Sequence, residues 1–198
     1  MKKTIGIIGA GNIGKTVAAH LLKAGYVVKI SNSKSPDTLK DTITQLGNGA
    51  IAVTATEAAE ADMVILALPW LQVKTLTNIT DWKNRLVIDA TNHYISSDFK
   101  LADLGSRSSS EFVHDYLPGA RLVKAFNTLY FKILEANPVV ADGHRVLFVS
   151  GDDTEAKVQV SEMIKDLGFA PLDLGSLSVG SKFQQAKGAL ASQNFIKL

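Results

Sequence analysis

The segment from Lys3 to Lys34 constrains the fold more than any other stretch of the chain. A β-prone run, Thr4-Ile5-Gly6-Ile7-Ile8, passes into Gly9-Ala10-Gly11-Asn12-Ile13-Gly14 and then into a helical pattern that reaches Gly25. A second apolar run, Tyr26 to Ile30, ends in the polar tip Ser31-Asn32-Ser33-Lys34. Strand, glycine turn, helix and strand in this order fold as a βαβ unit. Gly9 permits the tight bend, Gly11 lets the backbone approach a pyrophosphate, and Gly14 lets helix and strand pack closely. The first N–H groups of the helix and its dipole then face an anion. Glycine-rich turns also arise for purely conformational reasons. Here Ile13, Val17 and Leu21 recur every fourth residue, with Ala18 and Ala24 small on the same side, so the helix packs on a sheet and the turn reads as dinucleotide-binding.

The rest of the chain continues the alternation. Ser35-Pro36 starts a helix through Leu39, Ile43 and Leu46 that stops at Gly47, and Ala50 to Val53 is a short third strand. Thr56 to Ala61 reads as a brief helix, and Met63 to Leu68 as a strand covered on both faces, ended by Pro69-Trp70. A helix over about Trp70 to Asn78 precedes a fifth strand, Arg85 to Ala90, which runs into Thr91-Asn92-His93. Ser96 to Ser110 is polar and serine-rich and is expected to be a flexible loop. A helix at Glu111 to Tyr116, a strand from Arg121 to Phe126 ending in Asn127-Thr128, and a strand from His144 to Val149 follow. Asp152 and Glu155 stand in capping-box spacing before a helix ended by Gly168, and Ala170 to Leu174 is the last strand. These alternations predict an α/β, Rossmann-type, doubly wound, mainly parallel sheet with a short C-terminal extension.

At 198 residues and 46% hydrophobic content the chain suits a single domain, residues 1–198, with 175–198 as a tail of the same domain or a dimer contact. The formal net charge is +2 with the basic residues scattered, which gives no nucleic-acid or membrane surface. There is no cysteine, hence no disulfide framework and no thiol nucleophile, in keeping with a cytoplasmic protein. Gly6, Gly9, Gly11 and Gly14 interrupt the apolar N-terminus, so it reads as a first strand rather than an export signal. Met63 to Leu71 is far too short to span a membrane, and a soluble protein is expected.

In a doubly wound sheet, ligands sit outside the carboxyl ends of the strands at the switch in strand order. NAD-binding chains place an acid at the end of the second strand for the ribose 2′-hydroxyl; here Asn32, Ser33 and Lys34 stand instead. Lys34 can pair with a 2′-phosphate that an acid would repel. Charge-assisted hydrogen bonds contribute about 1.5–3 kcal/mol each, so two favour NADP by about a hundredfold. The alternative is that Lys34 is an ordinary solvated loop lysine. Trp70 either packs beside the cofactor or belongs to the core. Asn92, just past the fifth strand, and Asn127, past the sixth, face the nicotinamide end; Asn127 can hydrogen-bond the carboxamide or ribose, or serve only as a turn residue. His93 is either a proton donor or a loop histidine. Lys124, inside a strand, is expected to face an edge or solvent. The four histidines show no metal-ligand spacing, no GxSxG elbow occurs, and no catalytic dyad is present.

The glycine turn, Asn32-Ser33-Lys34-Ser35-Pro36, Leu68-Pro69-Trp70, Val123 to Thr128, Gly151-Asp152-Asp153 and Asp166 to Gly175 together resemble the NADP oxidoreductase, coenzyme F420-dependent family. The family's compact members pass hydride between NADP(H) and a deazaflavin, and related domains occur in membrane ferric reductases. The resemblance implies that Ala10, Gly11, Asn12 and Ile13 hold the pyrophosphate and that Asn32, Ser33 and Lys34 hold the 2′-phosphate. It places Leu68 and Pro69 at the nicotinamide-side ribose and Asn127 near the nicotinamide. It further implies direct hydride transfer between stacked rings to a small-molecule electron acceptor, flavin-like or deazaflavin, without a dedicated acid or base. Two other functions fit the glycine turn: reduction of a small imine or keto acid, which normally requires a helical C-terminal domain, and a non-catalytic NADP-binding redox sensor. The apolar tail, Gly188 to Leu198, suits either a homodimer contact or docking onto its own domain.

Overall fold

A computed structural model describes residues 3–198. Six strands run parallel: β1 (Thr4–Ile8), β2 (Val27–Ser31), β3 (Ala50–Ala52), β4 (Met63–Leu66), β5 (Leu86–Asp89) and β6 (Arg121–Lys124). Their spatial order is β3-β2-β1-β4-β5-β6, so the chain reverses direction across the sheet between β1 and β4. That is the Rossmann order and fixes the switch point. Beyond β6 the pattern changes. β7 (Val139–Val140) and β8 (Gly143–Gly151) form an antiparallel pair, and β8 also runs antiparallel to β6. β9 (Ala170–Asp173) lies parallel to β8.

Strand residues alternate between two cores. Ile5, Ile7, Met63, Ile65, Leu86 and Ile88 meet Val17 and Leu21 of α1 (Asn12–Lys23), Leu134 of α5 (Phe131–Glu135) and Val160 of α6 (Thr154–Asp166). Ile8, Val64, Leu66 and Val87 turn the other way. They pack with Ala58 and Ala59 of α3 (Ala55–Ala59), the 3-10 turn Trp70–Leu76, Val113 of α4 (Ser109–Tyr116) and Leu117 at that helix's C-cap. The remaining short helix on the β2–β3 connection is α2 (Lys40–Leu46). Apolar residues on both faces explain why the strands read as unbroken hydrophobic runs. Gly6 is required by this layering, since a Cβ there would stand 1.9 Å from the Ala58 carbonyl oxygen.

Several local expectations shift. The helix expected over Trp70 to Asn78 is a 3-10 segment ending at Leu76. α3 runs from Ala55 to Ala59 and so begins one residue earlier than expected, because Thr54 and Glu57 form a capping box at its start. β8 continues to Gly151, so the helix cap falls on Asp153, whose carboxylate accepts from Ala156 N at 2.8 Å; Asp152 instead accepts from Leu177 N in the tail. The serine-rich stretch is less loop-like than expected. Ser108 caps α4, Ser109 and Ser110 form its first turn, and all three are fully buried. Tyr94 and Leu101 close the segment before it with an antiparallel bridge.

The tail docks on its own domain. α7 (Gly180–Gln184) lies against β8, and β10 (Ile196–Lys197) pairs antiparallel with Arg145 and His144 of β8. No helix among the described residues is long and apolar enough to cross a membrane.

Candidate cofactor and acceptor site

The cleft opens at the carboxyl ends of β1 and β4. Gly9 (φ +119°) turns the chain out of β1, and a Cβ there would stand 2.2 Å from the Ala67 carbonyl oxygen. Gly14 sits under the same turn, where a Cβ would meet the Gly9 carbonyl oxygen at 1.9 Å. Only glycine fits either place. Gly11 is the opposite case: a Cβ there would meet nothing within 4 Å. The space above it opens into the cleft. Gly11 also ends α1 without a side-chain cap, and no acid occupies the helix's first turn, so its leading N–H groups remain available to an anion. A dinucleotide's pyrophosphate matches that open space and that polarity.

Toward β2 the cleft encloses about 620 Å³ and is lined by Gly9, Ala10 and Gly11, by Asn32 and Ser33, by Thr38 and Thr42, and by Leu68 and Pro69. Asn32 organises this loop from within. Its Oδ1 accepts from Lys34 N at 2.9 Å and its Nδ2 donates to the Thr38 hydroxyl at 2.9 Å, which in turn donates to the Ser35 carbonyl at 2.7 Å. The Asn32 amide, expected to reach a phosphate, is thereby engaged in shaping the loop. Ser33 and Lys34 stand exposed on the same tip. Thr38 was not legible from the sequence; its only signal is its place one turn after the Ser35-Pro36 cap.

Past the shared wall of Ala67, Leu68 and Pro69 lies a second pocket of about 550 Å³. Ile13, Trp70, Leu71, Tyr94 and Ile95 give it an apolar lining, with Thr91 and Asn92 at its floor. Tyr94 is the lone ionisable side chain in that lining. Trp70 combines both readings made of it, since it lines this pocket and is also only 7% exposed, with Nε1 donating to the Ser109 carbonyl at 3.2 Å.

Asn92 and Asn127 lock together. Asn92 Nδ2 donates to the Asn127 carbonyl at 3.0 Å, and Asn127 Nδ2 donates back to Asn92 Oδ1 at 3.1 Å. Asn127 is buried, and its remaining amide proton goes to the Gln184 carbonyl of α7 at 2.8 Å. Of the two, it is half-buried Asn92 that lines the pocket. Asn92 retains one amide proton and one lone pair for a ligand.

Lys124 overturns its expectation. It is completely buried at the end of β6, where Nζ donates to Asp89 Oδ2 at 3.0 Å and to the Thr91 carbonyl at 3.1 Å. Adjacent parallel strands place Asp89 opposite Lys124, a pairing invisible without knowing the strand order. Ser110 donates to Asp89 Oδ2 at 2.5 Å, and Thr91 donates to Oδ1 through its hydroxyl at 2.6 Å and its N–H at 2.9 Å. Burial pushes the Asp89 pKa up, but Lys124, Ser110 and Thr91 outweigh it and hold the carboxyl below its usual range. This knot fixes the Thr91-Asn92 corner at the pocket floor. His93, next along, is buried against Trp70, with ring centroids 6.5 Å apart. Burial, and then the Lys124 charge, pushes its pKa down, which favours the neutral imidazole.

The strand order, the uncapped helix over the glycine turn and the cleft along the switch point define a dinucleotide-binding domain. Comparison with known proteins makes this specific. Residues 4–93 match the family model described as NADP oxidoreductase coenzyme F420-dependent, so this part of the chain resembles that family of NADP oxidoreductases. A solved structure of the hypothetical protein SMa0349 from Sinorhizobium meliloti superposes with a TM-score of 0.93, covering 100% of this chain and 97% of that one at 41% identity. A candidate F420-dependent NADP-reductase from Arthrobacter sp. FB24 shares the fold at a TM-score of 0.78, with 89% and 86% coverage and 24% identity. Metalloreductase STEAP3 from Rattus norvegicus is 28% identical over 88% of this chain, which spans only 34% of that protein's length.

Proposed function

We propose that this chain is an NADPH-dependent oxidoreductase that passes hydride to a planar flavin-like or deazaflavin acceptor. The observation that carries the reading is the second pocket: it continues directly from the dinucleotide cleft, is walled by apolar and aromatic side chains, and has no carboxylate, lysine or histidine in its lining. A keto acid would require a cation for its carboxylate. A tricyclic ring requires flat apolar surface, and Trp70, Tyr94 and Ile95 offer it.

NADPH supplies the hydride when bound. The chain's own part is to hold and exclude. The amides around Gly11, Asn12 and Ile13 receive the pyrophosphate, and Ser33 with Lys34 takes the 2′-phosphate. Leu68 and Pro69 support the ribose, while Asn92 fixes the carboxamide and therefore which ring face meets the acceptor. The apolar walls keep water from the transfer. No protein acid or base takes part. The family description and the candidate F420-dependent NADP-reductase that resembles this chain support a deazaflavin-like acceptor.

The test is an acceptor screen. NADPH oxidation followed at 340 nm is expected with coenzyme F420 or a free flavin and not with pyrroline carboxylate or ketopantoate. Turnover confined to the small imine or keto acid would overturn the reading. NADPH binding with every acceptor inert would leave a cofactor-binding sensor in its place.

A further inference from the structure

The C-terminal segment enters the sheet through one side chain. Gln184, the last residue of α7, is completely buried. Its Nε2 donates to the Lys124 carbonyl at 3.3 Å and to the Phe148 carbonyl at 3.1 Å, and its Oε1 accepts from the Ser150 hydroxyl. β6 and β8 pair only at Val123–Gly151 and Lys124–Ser150, while Val146 N is taken by Phe195 of the tail. The Phe148 carbonyl lies between these two contacts on the same edge of β8, since alternate residues of a strand point their backbone groups to the same side. The side-chain amide of Gln184 therefore stands in for a missing ladder rung where β6 and β8 part. From that fixed position its own carbonyl takes the Asn127 amide, and Asn127 holds Asn92 by two hydrogen bonds.

We propose that Gln184 is a positioning residue: acting from the tail through Asn127, it sets the orientation of Asn92 and hence the placement of the nicotinamide ring. This rests on the reading of Asn92 as the nicotinamide contact. It gives the tail a task at the site. The tail completes the cofactor site from behind, and the link runs through the sheet rather than across the cleft mouth. Among the described residues, the adenosine half of the cleft shares no hydrogen bond with this network; Asn32, Ser35 and Thr38 bond to one another locally.

Two ligands separate the halves. NADPH occupies the whole cleft, whereas 2′,5′-ADP reports only the adenosine half. Gln184→Met is close in volume and removes the amide. It is expected to weaken NADPH by about tenfold while changing 2′,5′-ADP by less than about twofold. Asn92→Ala is expected to match it, and the double variant to be no weaker than Asn92→Ala alone, since both act at one contact. Equal losses for the two ligands, additive losses in the double variant, or no loss for either would overturn the proposal. If Gln184→Met does not fold, Ser150→Ala, which removes only the hydroxyl donated to Oε1, carries the same comparison; the same split at smaller size supports it, and no split overturns it. Failure of 2′,5′-ADP to bind the unaltered protein would instead count against the cofactor reading itself.

Discussion

The two halves of the cleft are built by different means. The adenosine half is local: its turn, helix start and loop tip come from residues 9–14 and 32–38, and its polar contacts join residues two to six positions apart. The half proposed for the nicotinamide is assembled from afar. Asp89 meets Lys124 across 35 positions, Asn92 meets Asn127 across 35, and Asn127 meets Gln184 across 57. The first half is exposed backbone awaiting an anion; the second is a network of buried polar side chains that bond to one another, with Asn127 Oδ1 left without a partner among the described residues. Backbone and local turns can bind a phosphate with little support. Holding a ring to a single face requires groups that cannot move, and a buried hydrogen-bonded network supplies that rigidity.

The sharpest break in this comparison is at Lys124. Lys124→Met leaves Asp89 buried without its cation and is expected to cost about 3–5 kcal/mol in stability by urea denaturation. Lys124→Met with Asp89→Asn should recover much of that loss, because no charge is then left unpaired. The adenosine half should behave oppositely. Lys34→Glu leaves folding unchanged but removes about 1.5–3 kcal/mol of 2′-phosphate binding, so the preference for NADPH over NADH in equilibrium titration disappears or reverses. Gly11→Ala tests the open turn. Its Cβ meets no protein atom within 4 Å, so the melting temperature should hold while NADPH binding falls by about tenfold.

The smallest effect concerns pH. Arg121 donates to Asp153 at 2.6 and 3.1 Å, and with the Ala156 N–H it lowers the Asp153 pKa to about 2. A carboxyl whose folded pKa lies below its ordinary value stabilises the fold above that ordinary value, and the contribution is lost as pH falls through the folded one. Arg121→Met should therefore reduce stability at pH 7 slightly and flatten its decline between about pH 4 and pH 2, as followed by circular dichroism. The cleft should not register this change, since Asp153 lies outside both of its pockets.

How much could be read from the sequence follows the same division. The glycine turn, the alternation of strands and helices, and the acid-free tip of β2 are consecutive residues whose chemistry acts on neighbours, and they pointed to the Rossmann-type doubly wound fold and to NADP. Lys124 could not be read correctly, because a lysine in a strand looks edge-facing until β5 is known to lie beside β6 with Asp89 in register. Gln184 gave no signal at all. A glutamine in a polar tail becomes structural only when two carbonyls from separate strands point at it. The buried serines 108–110 misled for a related reason: a serine-rich run normally marks a loop, yet these hydroxyls and N–H groups serve a helix cap, the Asp89 carboxylate and the Gln185 side chain.

The two-part cleft is tested most directly by a crystal structure with NADP bound. The pyrophosphate is expected over Gly11, Asn12 and Ile13, the 2′-phosphate beside Ser33 and Lys34, and the nicotinamide in the pocket of Trp70 and Tyr94 with its carboxamide on Asn92. A nicotinamide turned away from Asn92, or a ring bound where the Asn92–Asn127 pair has come apart, would contradict it.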